Sequence, residues 1–106
     1  MLLALILAGC AIDDTTFADE FPVAACDYAA DCGATLGSED MCETTMGELV
    51  DGMLADETCA YDAGQARQCI RELTADTCDE RTAVYYECKR VFVGDDCELD
   101  MTDALF

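Results

Sequence analysis

Residues 59–97 read CAYDAGQARQCIRELTADTCDERTAVYYECKRVFVGDDC, and the spacing within this run decides the fold. Its five cysteines, Cys59, Cys69, Cys78, Cys88 and Cys97, lie 10, 9, 10 and 9 positions apart, so the run is two 19-residue units that share Cys78. In the first unit Ala63, Ala66, Cys69, Ile70 and Leu73 recur three and four apart. That period places side chains on one face of a helix. Asp62 stands at the N-cap, where its carboxylate can accept from an orphan backbone N–H. The second unit repeats the plan: Asp79 as cap, Val84, Cys88, Val91 and Phe92 as the stripe, and Gly94 as the C-terminal stop. Gln68-Cys69-Ile70-Arg71-Glu72-Leu73 aligns with Glu87-Cys88-Lys89-Arg90-Val91-Phe92. Two such helices joined over residues 74–77 make an antiparallel hairpin. Cys69 and Cys88, central in their units, are placed to bridge it.

Working outward, residues 38–54 read as another helix. Ser38 is the N-cap, Glu39 and Asp40 sit at the positive end of the helix dipole, and Cys42, Met46, Leu49 and Met53 form a stripe with Val50 beside it. The methionines read as filling for a small core rather than as a pliable groove. Residues 21–32 read as a shorter helix with Pro22 in its first turn and Gly33 as its left-handed cap. Val23, Cys26 and Ala30 share one face of it. Cys26 and Cys32 cannot bridge each other there: six residues of helix separate them by about 9 Å, beyond the ~7 Å reach of a disulfide. Each must find a different partner. The expected fold is all-α, a small disulfide-stapled bundle of about four short helices.

The totals agree. The chain has 106 residues, a formal net charge of −19 and nine cysteines, with an apolar fraction of 53% that is too high for a disordered acidic chain. It is one small domain, of the size that often adds disulfides because its core is limited. All five bases, Arg67, Arg71, Arg81, Lys89 and Arg90, fall in the hairpin, whereas residues 11–66 hold fourteen acids and no base. Attraction between the two halves is the expected use of that asymmetry. Nucleic acid is excluded as a partner, because the surface repels it.

The N-terminus carries an apolar run, residues 2–8, followed by Gly9 and Cys10. Seven residues are enough for a signal core and far too few for a membrane span of ~20. Leu7-Ala8-Gly9-Cys10 resembles the lipobox of bacterial lipoproteins, in which the chain is cut before the Cys and that Cys carries the lipid. The basic flank usual in signal peptides is absent. The resemblance implies a signal peptide at residues 1–9, lipidation at Cys10 and attachment to the membrane through an N-terminal lipid. Ala11 after the lipidated Cys implies the outer membrane of a two-membrane cell envelope. Cysteine arithmetic points the same way. Without Cys10 the number is even, and Cys26, Cys32, Cys42, Cys59, Cys69, Cys78, Cys88 and Cys97 can form four bridges, for which 105 pairings exist. Residues 10–20 read as an acidic tether, residues 21–97 as the disulfide-rich helical domain and residues 98–106 as an acidic tail.

Tyr61-Asp62 before an Ala-rich helix, then Cys69, Cys78 and Cys88, then Val91-Phe92-Val93-Gly94 before Cys97, resembles Cys-rich lipoproteins of myxobacteria and their relatives. The resemblance spans roughly residues 21–97 and implies a cellular address. It implies no activity.

Chemistry is sparse. There is no His, and no two cysteines lie closer than six positions, which argues against zinc and against a redox Cys-x-x-Cys pair. Ser38 is the one serine and is needed as a cap, so nucleophile–base catalysis lacks its parts. No cofactor, metal or enzymatic activity is expected. The expected role is a binding or structural module on the envelope with an unidentified protein partner. The alternative is an acidic surface lipoprotein that binds divalent cations through Asp95, Asp96, Glu98, Asp100 and Asp103. These residues do not follow the Asp-x-Asp-x-Asp-Gly calcium loop.

Overall fold

The computed structural model describes residues 11–33, 38–75, 78 and 81–99, with residues 81 and 82 described in backbone only. The signal stretch 1–9, Cys10, the Asp79 cap and tail residues 100–106 lie outside the described residues. The order is α1 (Asp14–Asp31), α2 (Glu39–Ala55), β1 (Ala60–Tyr61), α3 (Ala63–Thr74), α4 (Arg81–Lys89) and β2 (Phe92–Val93). The fold is the small disulfide-stapled helical bundle that the sequence specifies.

The caps form as read. Ser38 Oγ accepts from Met41 N at 3.2 Å, and the Asp62 carboxylate accepts from Gln65 N at 2.9 Å. α2 buries Cys42, Met46 and Val50, and α3 buries Ala66, Cys69, Ile70 and Leu73. The α3 stripe is buried as written except for half-buried Ala63, whereas in α2 Leu49 and Met53 are half-buried and Val50, read as lying beside the stripe, is fully buried.

α1 departs from expectation. It begins at Asp14, with Asp13 as its cap accepting from Thr16 N at 2.7 Å. Most of the stretch read as a tether is therefore helix. Pro22 lies inside α1 rather than in its first turn, and has no N–H to give to the carbonyl four residues back. Two aromatics explain the difference. Phe17 and Phe21 are fully buried and stack with centroids 5.1 Å apart. Burying them sets the rotation of the helix, with Ala25, Tyr28 and Ala29 continuing their face. Of the expected Val23, Cys26 and Ala30 face, only Cys26 is buried, and Val23 is 45% exposed.

α1 and α2 pack antiparallel. Cys26 bridges to Cys42, while Pro22, further back, faces Gly47, further on. Gly33 closes α1 with φ 78°, the left-handed conformation expected of it.

The end of α4 also departs from expectation. This helix stops at Lys89, and Val91-Phe92-Val93 leave it to form a ladder that the helical reading missed. β2 pairs antiparallel with β1, Ala60 opposite Val93 and Tyr61 opposite Phe92. Asp62 N donates to Val91 O at 2.8 Å, extending the pairing to the start of α3. β-branched and aromatic side chains favour this extended backbone. It also brings Phe92 onto Tyr61 at 5.8 Å and onto Phe17 at 6.4 Å. The α3–α4 hairpin is thus closed at its open end by two strands, with the aromatic cluster beneath them.

Gly94 is not a helix stop. It has φ 145°, and a Cβ there would lie 2.6 Å from Thr58 O and 2.9 Å from Cys97 Sγ. Glycine lets the chain pass close against the neighbouring backbone and the last disulfide.

Candidate functional site

Three surfaces carry the chemistry: the root of the N-terminal segment, the loop after β2 and the outer side of α4.

The root is fixed by two hydrogen bonds. The Tyr61 hydroxyl donates to Ile12 O at 2.7 Å, and Ile12 N donates to Ala63 O at 3.4 Å. Burial pushes the Tyr61 phenol well above its usual range, and the carboxylates of Asp14, Asp13 and Asp62 push it further. The hydroxyl therefore keeps its proton and remains a donor. Ala11 and Ile12 are both half-buried. The fold thus takes hold of the chain two residues after Cys10. Neither the Tyr61–Ile12 contact nor the Phe17 cluster was foreseen, because both join positions more than 40 residues apart.

All eight cysteines from Cys26 onward are paired. The bridges are Cys26–Cys42, Cys32–Cys78, Cys59–Cys97 and Cys69–Cys88. Cys69–Cys88 is the cross-helix pair read from the repeat. Cys26 and Cys32 reach different partners, as helix geometry required. Cys10 is the one cysteine for which this pairing leaves no mate in the chain.

The loop after β2 holds the described part of the expected cation site. Gly94, Asp95, Asp96 and Glu98 line an open depression of about 490 Å³. Asp96 has φ 60°. Among the described residues no three His, Cys, Asp or Glu side chains are arranged to hold a metal ion. Asp100 and Asp103 lie outside the described residues.

On α4, cations stack on tyrosines. Lys89 Nζ is 5.3 Å from the Tyr85 ring centre and 5.7 Å from that of Tyr86, and Arg90 Cζ is 4.9 Å from the Tyr86 ring. Arg90, just past the end of α4, also pairs with Glu87 at 3.4 Å. These two bases are therefore engaged locally rather than with the acidic half. Each stack at such an exposed site contributes about 0.5–1 kcal/mol.

Comparison with known protein families, characterised proteins and solved structures gives no match.

The functional reading therefore rests on the chain's own residues. Ser38 is committed to capping α2, and histidine is absent. No helix among the described residues is long and apolar enough to cross a membrane.

Proposed function

We propose that this chain is a lipid-anchored domain of a bacterial cell envelope that works as a binding or structural module rather than as an enzyme. The observation that carries the reading is the cysteine pairing. Four bridges consume the eight cysteines after Cys10, and the cysteine left over is the one in the lipobox-like Leu7-Ala8-Gly9-Cys10. Four disulfides also suit an oxidising compartment outside the cytoplasm. The resemblance of residues 21–97 to myxobacterial lipoproteins points to the same address, and Ala11 to the outer membrane.

The root geometry adds a consequence. With Ile12 held by Tyr61 and Ala63, a lipid on Cys10 would keep the β1–β2 end of the domain against the bilayer. The charge of −19 steers the exposed remainder away from other polyanions and toward a cationic or neutral protein partner. Labelled palmitate supplied to cells making the full chain tests the anchor. Label is expected in the wild-type protein and not in Cys10→Ala. No label in either, or equal label in both, would overturn the reading.

A further inference from the structure

The four disulfides are not equivalent in placement. Cys26–Cys42 joins α1 to α2. Cys59–Cys97 and Cys69–Cys88 both close within the hairpin unit, residues 59–97. Cys32–Cys78 alone of the four joins the N-terminal helix pair to the hairpin unit.

They are not equivalent in exposure either. Cys69 and Cys88 are fully buried, Cys26 and Cys42 are 3% and 5% exposed, and Cys97 is fully buried beside its half-buried partner Cys59. Cys97 Sγ is further covered by the close pass of Gly94; Thr58 O lies 3.8 Å from it, as Asp31 O does from Cys78 Sγ. Cys78 is exposed and Cys32 half-buried. An attacking thiolate must approach a sulfur along the S–S axis, so access selects the bridge. The one clamp between the halves is the one open to solvent.

From this we infer that Cys32–Cys78 is a thiol–disulfide exchange site, a reducible clamp whose co-substrate is a thiol or dithiol that is not anionic. A thiolate attacks Cys78 Sγ, forms a mixed disulfide with it and expels Cys32 as a thiolate. A second thiolate then attacks the sulfur that the first contributed, forms the oxidised co-substrate and releases Cys78 as a thiolate. Two electrons pass from the co-substrate to the bridge, and water reprotonates both cysteines according to pH. The net charge of −19, with Asp31 next to Cys32, repels anionic thiols such as glutathione at low ionic strength. The other three bridges hold each half, and Phe17 against Tyr61 and Phe92 keeps the halves in contact. Opening the clamp therefore frees the C-terminal end of α1 from Cys78 without dismantling the core. This inference does not depend on the lipid anchor.

Limited reduction of the oxidised full chain under native conditions tests it, with trapping of free thiols by alkylation and peptide mass mapping over time. Cys32 and Cys78 are expected to be labelled first, at least about tenfold faster than any other pair. First labelling of another pair, or release of all eight thiols together, would overturn the inference. The Cys32→Ser/Cys78→Ser variant should lose the fast phase, and a fast phase that persists counts against the site. Cysteamine should react several-fold faster per thiolate than glutathione at low salt, and the gap should close as salt screens the repulsion. Equal rates at low salt would overturn the assignment of co-substrate class.

Discussion

Gly94 and Tyr61 show how single residues fix the junction of the two halves. At Gly94 the positive φ and the close pass against Thr58 O and Cys97 Sγ act together. Backbone oxygen cannot yield as a flexible side chain would, so Gly94→Ala is expected to cost about 2–3 kcal/mol. Gly33→Ala is its control. It has a positive φ but nothing within 4 Å of the added Cβ, and should cost about 1 kcal/mol. Urea unfolding with all bridges oxidised compares the two. Tyr61 ties the first described residues to the hairpin. Tyr61→Phe keeps the ring in the cluster and removes the hydroxyl that donates to Ile12 O. A loss of about 1 kcal/mol is expected. Faster hydrogen exchange at the Ile12 amide, whose partner is Ala63 O, would separate local release of the root from a general loss of stability.

At the level of elements, the contact between α1 and α2 carries a built-in repulsion. The Cys26–Cys42 bridge draws Asp27 and Glu39 together across the two helices. The shared hydrogen bond with Asp27 raises the Glu39 carboxyl above its usual range, and the charges of Asp27, Glu43 and Asp40 add to the effect. Glu39 thus binds protons more tightly in the folded state than in the unfolded one. Its contribution to stability is fully present below the ordinary glutamate range and is lost as pH rises through the raised value. Asp13 and Asp56 act in the opposite sense. Hydrogen bonds from Thr16 and Thr58 lower their carboxyls, so their contribution is present above the ordinary aspartate range and lost as pH falls through the lowered values. Glu39→Gln should therefore raise the urea midpoint at about pH 7, and the advantage should vanish near about pH 3. The helices themselves were legible in the sequence wherever local rules decide them. Ser38 and Asp62 cap as read, and the Ala66–Cys69–Ile70–Leu73 face is buried as read, while α2 buries Cys42 and Met46 of its stripe together with the neighbouring Val50. What escaped the sequence was decided at long range. Asp13 and Asp14 resemble tether until Phe17 is known to pack on Tyr61 and Phe92, which then makes residues 14–20 part of α1. Val91 and Phe92 fit a helical stripe, and only pairing with Ala60 and Tyr61 turns Phe92-Val93 into a strand. The site was legible to the extent of its cysteines. The 10-9-10-9 spacing gave Cys69–Cys88, whereas Cys32–Cys78 joins parts of the chain that no periodicity relates.

For the molecule as a whole, the covalent network determines how much each bridge contributes. In the chain-entropy account a disulfide stabilises by shrinking the unfolded ensemble, and the effect grows with the loop it closes. Cys26–Cys42 and Cys69–Cys88 span 16 and 19 positions, which corresponds to about 3 kcal/mol each. Cys59–Cys97 spans 38, but Cys69–Cys88 already short-circuits that loop, leaving it a similar contribution. Cys32–Cys78 spans 46, and no other bridge offers a much shorter route between its ends. Its contribution comes to about 4 kcal/mol, the largest of the four. Against a net stability of about 5–15 kcal/mol, typical of small domains, that is a large share. Cys32→Ser/Cys78→Ser should therefore lower unfolding stability by about 4 kcal/mol and steepen the urea dependence, because the unfolded chain expands when its widest loop is opened. The native far-ultraviolet circular dichroism should be unchanged, since the helices and the aromatic cluster do not depend on this bridge. A loss from removing Cys26–Cys42 that equals or exceeds that from removing Cys32–Cys78 in the same assay would show that native contacts around the sulfurs, rather than loop length, govern the stabilisation. If loop length governs, the most exposed bridge is also the one on which stability depends most, and exchange at Cys32–Cys78 would couple the redox state of the surroundings to the persistence of the whole fold.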